Sequence, residues 1–190
     1  MNNRILLASA SPRRRELMKL ISEDFDCISC DVDETVPEGL SPADAVTAIA
    51  CAKGTAAADK ADDRVVIAAD TIVVLGDVIF GKPADEEDAR TMLSLLSGRT
   101  HTVMTGVCII LPSGESVSLC EKTQVTFWEL TKKQITDYVA TGEPMDKAGA
   151  YGIQGKGALL VRGIQGDFYN VIGFPVAKIS RLLSQLSADK

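Results

Sequence analysis

The residues best suited to chemistry are cations and carboxylates placed where the surrounding sequence gives them no ordinary reason to be. Arg13, Arg14 and Arg15 follow directly on the small-residue run Ala8-Ser9-Ala10-Ser11-Pro12. Ser11 and Pro12 read as the N-cap and first residue of a helix. Cationic side chains on that first turn oppose the macrodipole and the unsatisfied N–H groups. They suit an arriving anion such as phosphate, which guanidinium groups bind well. A solvated helix start, its arginines paired with surface carboxylates, stands as an equal alternative.

Asp70 is the second signal, because it interrupts the apolar run from Val65 to Leu75. A carboxylate in such a run needs a partner or gives up its charge. Burial disfavours the ionised form of a carboxyl and a neighbouring cation favours it, so such a group can serve as a general base or a metal ligand. A strand-end Asp satisfied by backbone N–H groups is the structural alternative. Lys82 lies between Gly81 and Pro83, where its ammonium could meet a phosphate, Asp70 or only water. Lys53 has the same ambiguity, and Glu34 is either a metal ligand or part of an acidic loop. The acidic run Asp85 to Asp88 needs no substrate, since it suits the start of a helix.

Other chemistries find little support. There is no G-x-x-x-x-G-K-[ST] phosphate loop and no G-x-S-x-G elbow, and His101 is the single histidine, which we read as structural. Cys27 and Cys30 form a C-x-x-C, but the segment alternates like a strand and has no second ligand pair, so they read as ordinary cysteines. What remains is a carboxylate, lysines, arginines and Mg²⁺, a set that fits water-driven cleavage of a phosphoanhydride without a covalent intermediate.

The elements that must position these groups can be read from periodicity and punctuation. Ile5 to Ala8 reads as a buried strand, followed by a helix with Leu17, Leu20 and Ile21 on one face. A strand over Phe25 to Val32 leads to a second Ser-Pro helix start at Ser41-Pro42, with Asp44 completing a capping box. Val65 to Leu75 reads as a central strand, and a helix with Met92, Leu93, Leu95 and Leu96 ends near Gly98. Two β-rich runs, His101 to Leu111 and Ser116 to Trp128, flank a hairpin turn at Pro112 to Glu115. Thr131 caps a helix ending near Gly142, the stretch to Gly173 is glycine-rich and irregular, and Pro175 opens a last helix. This order implies an α/β or α+β chain whose central sheet is mixed, partly antiparallel and flanked by helices. Gly-Ile-Gln-Gly occurs at Gly152 to Gly155 and again at Gly163 to Gly166, in flanks too different for a repeat.

Bulk composition bounds the function. With 190 residues and 46% apolar content the chain is expected to form a single domain over 1–190. A net charge of −6 argues against stable nucleic-acid binding, and a local basic cluster on an acidic protein points to a small anion. The N-terminal stretch up to Ala10 reads as neither a signal peptide nor a membrane anchor, no apolar run approaches transmembrane length, and five scattered cysteines suit a reducing, cytoplasmic chain.

Taken together, Ala8-Ser9-Ala10-Ser11-Pro12-Arg13-Arg14, Ala69-Asp70-Thr71-Ile72-Val73, Gly81-Lys82-Pro83 and Leu96-Ser97-Gly98-Arg99-Thr100-His101 resemble the Maf family of nucleoside triphosphate pyrophosphatases. The segment from Thr141 to Gly155, with Asp146-Lys147-Ala148-Gly149-Ala150-Tyr151 before Gly152-Ile153-Gln154-Gly155, is similar to the branch acting on dTTP and UTP. The resemblance implies hydrolysis between the α- and β-phosphates to the monophosphate and pyrophosphate, with Mg²⁺ or Mn²⁺ as cofactor. It implies Asp70 as proton acceptor and, with Glu34, metal ligand. Arg13, Thr71 and Gln154 match positions that set base preference, and Ser9, Arg14, Lys53 and Lys82 match the nucleotide pocket. The implied fold is the Maf/Ham1-type architecture shared with inosine triphosphatases, with a central cleft. Gly54 after Lys53 and the third arginine, Arg15, depart from the usual pattern. Alternatives are the 7-methyl-GTP branch and a nucleotide-binding regulator of septum formation, and a homodimer is the expected assembly.

Base choice has a physical rationale. Uracil and thymine present an N3–H donor between two carbonyl acceptors, and one Gln carboxamide can accept from the first while donating to a neighbour. Guanine orders its three edge groups differently, which leaves buried groups unpaired.

Overall fold

The computed structural model describes residues 4–32 and 39–188. The chain runs β1 (Ile5–Ala8), α1 (Pro12–Met18), β2 (Phe25–Ile28), α2 (Pro42–Ala58), β3 (Val65–Leu75), β4 (Val78–Phe80) and α3 (Glu86–Leu96). It continues through β5 (Thr100–Ile110), β6 (Ser116–Phe127), α4 (Lys132–Val139), β7 (Val161–Gln165), α5 (Phe168–Ile172) and α6 (Val176–Ala188). The strands form one sheet in the order β2-β1-β3-β5-β6-β7, with β4 paired to β3 off that path. β1 is parallel to both β2 and β3, whereas β4 on β3 and β7 on β6 are antiparallel. The mixed, partly antiparallel sheet flanked by helices is therefore as expected.

Contacts divide the chain into two compact units, one of residues 1–70, 105–121 and 173–190, the other of residues 71–104 and 122–172. In the first, Leu6 and Ala8 of β1 and Val66 and Ala68 of β3 pack with Ala57 and Ala61 at the end of α2. In the second, Leu93 and Leu96 of α3, Val103, Phe127, Ile135 and Tyr138 build a core that closes over Tyr151.

Local signals account for most of these elements. Ser11, Ser41, Asp85 and Thr131 cap α1, α2, α3 and α4, each accepting from the backbone N–H three residues on. Of these four caps only Thr131 forms a reciprocal capping box, with Gln134. Ser41 and Asp44 do not complete one: the Ser41 hydroxyl donates to the Asp44 carboxylate. The shorter Asp side chain is engaged by the cap's hydroxyl.

Three boundaries differ from expectation. β2 stops at Ile28 rather than Val32, because β1 offers it only four paired residues. α1 ends at Met18 with Leu17 and Met18 buried, so Leu20 falls beyond it and is 64% exposed. The stretch after Gly142 is more ordered than its composition suggests: short 3-10 turns occupy Glu143–Asp146, Ala148–Ala150 and Gly155–Leu160 before β7 and α5. Left-handed backbone at Gly142, Gly149 and Gly155 divides it into single turns, and that removes the periodicity by which longer elements are read. The second Gly-Ile-Gln-Gly lies in β7 and its following turn while the first leads into a 3-10 turn, so the two copies share no structure. All five cysteines are free thiols.

Helix α2 approaches the sheet closely in the first unit. A methyl at Gly106 of β5 would lie 2.4 Å from the Val46 carbonyl oxygen, and one at Gly54 of α2 would lie 3.2 Å from Ile110 Cδ1. Gly106→Ala is therefore expected to destabilise the protein by about 2 kcal/mol or more. Urea unfolding would measure this, and an unchanged midpoint would mean that α2 can back away at little cost.

Candidate active site

Asp70 belongs to the first unit. It lies in the interior of β3, where Asp70 and Thr71 are half-buried between fully buried neighbours. Lys53, on α2, donates from Nζ to Asp70 Oδ1 at 2.7 Å, and the two side chains are 12% and 14% exposed. Little of this pair is in water, so its Coulomb attraction is weakly screened and each charge depends on the other. The buried carboxylate thus has a lysine partner, rather than the backbone N–H groups of the structural alternative.

The arginine cluster differentiates along one turn. Ser9 Oγ accepts from the Ser11 N–H at 3.2 Å, and Ser11 Oγ accepts from the Arg14 N–H at 3.4 Å. These bonds order the loop between β1 and α1. Arg14 donates from Nε to the Gly173 carbonyl at 2.9 Å, which fixes the plane of its guanidinium. Arg13 is half-buried beside it, while Arg15 is exposed and donates to Cys27 Sγ at 3.3 Å. α1 has only seven residues and no acidic residue in its first turn. With so short a helix the macrodipole is weak, and attraction for an anion rests on the guanidinium groups.

Thr71, Lys82 and Gln154 belong to the second unit, where their segments meet at Gly149. The Gly149 N–H donates to the Gly81 carbonyl at 3.0 Å, which ties the turn before Lys82 to the Ala148–Ala150 turn. A methyl on Gly149 would lie 2.9 Å from Val73 Cγ2, two residues along β3 from Thr71. Gly149 has φ +68, so backbone conformation and space both require glycine. Ala150 follows with φ 57, a costly conformation for a residue with a Cβ, and it is fully buried. Gln154 is exposed, as is Gly155 after it, while Ile153 before it is buried.

His101 is structural, as expected, and its partner is informative. It is 2% exposed, shares a 2.8 Å hydrogen bond from Nε2 with Tyr151 Oη, and meets the rings of Phe127 and Tyr151 edge-on. Its Nδ1 has no hydrogen-bond partner among the described residues. Burial pulls the imidazole pKa down to about 4, so the ring is neutral at physiological pH. Burial also pushes the Tyr151 hydroxyl well above its ordinary range. Sequence reasoning overlooked this pairing because the partners are fifty residues apart.

Among the described residues no three His, Cys, Asp or Glu side chains gather as a metal cage. Asp70 is the described member of the expected ligand pair, and Glu34 lies outside the described residues. Mg²⁺ commonly takes one or two carboxylates and completes its shell with phosphate oxygens and water, so a carboxylate placed as Asp70 is fits that ion. No described helix is long and apolar enough to cross a membrane.

The sequence model of the family described as Maf-like protein matches residues 4–186. The chain belongs to this family. The Maf chain is 50% identical over 186 residues to a dTTP/UTP pyrophosphatase of Bacillus cereus strain B4264, covering 98% of this chain and 97% of that protein. A dTTP/UTP pyrophosphatase of Bacillus cereus strain G9842 is 49% identical over the same coverage. In fold, this Maf protein is similar to a HAM1 protein from Coxiella burnetii, with a TM-score of 0.53 and 15% identity over 96% of this chain and 98% of that one. The expected Ham1-type architecture is borne out.

The buried imidazole predicts a pH dependence. A folded pKa of about 4 against 6.5 for an ordinary imidazole means the unfolded chain binds the extra proton first on acidification. His101 therefore contributes stability in full above about pH 6.5, and that contribution falls by up to about 3 kcal/mol as pH drops towards 4. Chemical unfolding between pH 7 and 4.5 should show this slope. His101→Gln should flatten it, and an equal slope in the variant would assign the effect to other groups.

Proposed function

We propose that this chain is a nucleoside triphosphate pyrophosphatase that hydrolyses dTTP and UTP to the monophosphate and pyrophosphate. The observation that carries the reading is 50% identity to a dTTP/UTP pyrophosphatase along nearly the whole of both chains. The Lys53–Asp70 pair supports it, because it gives the chain a shielded carboxylate of fixed orientation.

In this reading a water attacks the α-phosphorus as Asp70 takes its proton. A new P–O bond forms to the water oxygen, the bond from the α-phosphorus to the bridging oxygen breaks, and pyrophosphate leaves with that oxygen's electrons. Lys53 holds Asp70 Oδ1 at 2.7 Å and so limits the carboxylate to one plane as it receives the proton. Arg14, oriented by the Gly173 carbonyl, and Lys82 offset the negative charge spread over the phosphates, and Ser9 shapes the loop beside them. A divalent cation, Mg²⁺ or Mn²⁺, held by Asp70 with Glu34, would supply further neutralisation of the triphosphate when bound. Arg13, Thr71 and Gln154 choose the base. The five free thiols accord with a reducing, cytoplasmic setting.

The test is a release assay with dTTP, UTP, GTP and 7-methyl-GTP in Mg²⁺ or Mn²⁺. Pyrophosphate should appear fastest from dTTP and UTP, and release of orthophosphate would overturn the cleavage position. Asp70→Asn should lower kcat by roughly 10²-fold or more on every substrate. Arg13→Ala should disturb base preference more than Arg15→Ala, and equal effects would undo the division between the two arginines.

A further inference from the structure

Gln154 stands at the tip of a loop whose two ends are held by a carboxylate and a phenol. The Lys156 N–H donates to both Glu143 carboxylate oxygens at 3.1 Å, and the Gly157 N–H donates to Glu143 Oε2 at 3.3 Å. On the other side of the tip, the Gly152 N–H donates to Tyr138 Oη at 3.1 Å. Burial, and after it the nearby Glu143 charge, push the Tyr138 hydroxyl up to about 12, so it keeps its proton. Hydrogen bonds thus hold Gly152 to Tyr138 on one side of the tip, and Lys156 and Gly157 to Glu143 on the other.

Close packing shows how little slack the ends have. A methyl on Gly157 would lie 2.1 Å from the Gly152 carbonyl oxygen and 2.6 Å from Tyr138 Oη. One on Gly152 would lie 2.8 Å from Lys147 Cε, and the Lys147 ammonium donates to the Glu143 carbonyl. Ile153 beside the tip is buried, whereas Gln154 is exposed.

A loop pinned in this way matters for base choice. Uracil presents a C4 carbonyl beside N3–H, and guanine presents a C6 carbonyl beside N1–H in the same order. A carboxamide that accepts from one group and donates to the other pairs with those two groups of either base. Besides the third edge group, a carbonyl in uracil and an amino group in guanine, the two differ in distance, because the fused purine ring carries its edge further from the sugar. A Gln held at one depth reads one of them, and a Gln on a mobile loop reads both.

We propose that Glu143, acting through the Lys156 and Gly157 amides while Tyr138 holds the Gly152 end, is a positioning residue that holds Gln154 at the depth of a pyrimidine and so sets the preference for UTP over GTP. The inference rests on the base-reading role assigned to Gln154 above. Glu143 touches neither base nor phosphate in this account. Its removal frees the tip without altering the Lys53–Asp70 pair.

The experiment compares kcat/KM for UTP and GTP in the unaltered protein, Glu143→Ala, Glu143→Gln and Tyr138→Phe, alongside hydrogen–deuterium exchange of peptides covering 151–158. Glu143→Ala should lower the UTP-to-GTP ratio by about tenfold, chiefly through KM for UTP, and speed exchange in the loop. Glu143→Gln, which keeps one acceptor oxygen, should fall between. Tyr138→Phe should reproduce part of the loss without touching the carboxylate, and it decides the matter if Glu143→Ala does not fold. Proportional losses on UTP and GTP, or an unmoved ratio in a protein that does prefer UTP, would overturn the proposal. If the unaltered protein shows no UTP preference, the role of Gln154 itself falls, and the proposed selectivity with it.

Discussion

A carboxylate inside a central strand forces much of the surrounding structure. β3 is buried from Val65 to Ala69 and again from Ile72 to Val74, so Asp70 sits where water cannot solvate it freely. Only a cation delivered to the same spot makes that tolerable, and Lys53 is that cation. Its delivery depends on how near α2 lies to the sheet. The small faces that meet there, Gly54 against Ala68 and Cys108 and Gly106 beneath the Val46 carbonyl, set that spacing. The Ala-rich composition of α2 thus has a positional consequence: it brings the base of a lysine side chain within reach of a strand-borne carboxylate. Gly54 after Lys53 belongs to this contact, since a methyl there would lie 3.2 Å from Ile110 Cδ1 and the Ile110 side chain would have to give way.

The arginine triplet depends on a different constraint, the need to orient charge before a ligand arrives. A guanidinium on a flexible stem loses considerable freedom on binding an anion. Arg14 has given up some of that freedom in advance, through the Gly173 carbonyl ahead of α6. Arg15 is exposed on Cys27, at the edge of β2. Three adjacent arginines therefore occupy different environments, because consecutive helical residues point about a hundred degrees apart.

These two features were legible in the sequence to different degrees. The strand from Val65 to Leu75, the Ser-Pro helix starts and the hairpin at Pro112 to Glu115 could be read because each is decided by neighbours in the chain. Asp70 and the arginines were conspicuous because they violate local rules, an acid in an apolar run and cations at a helix start. The Lys53–Asp70 pairing was only one of several options, since which lysine reaches a strand depends on tertiary spacing. Leu20 was misplaced for a similar reason: apolar periodicity continued past Met18, but the helix did not.

Least legible was the segment after Gly142, which is held by residues that look unremarkable one by one. Glu143, Tyr138 and His101 have no motif in common and sit on a turn, a helix and a strand. What links them is that each spends its polar atom on the loop from Tyr151 to Gly157. Glycine at 149, 152, 155 and 157 supplies the close approaches, but glycines alone would leave that loop with many conformations. The entropy must be removed by side chains from outside, and half-buried hydrogen bonds from Gly157 to a carboxylate and from Gly152 to a phenol do so at the loop's ends while its tip stays exposed. A loop that turns this tightly has to be flexible enough in sequence to make the turn and constrained enough in structure to hold it. The first requirement is visible as glycine content, and the second appears only when the fold brings residues 101, 138 and 143 to the same loop.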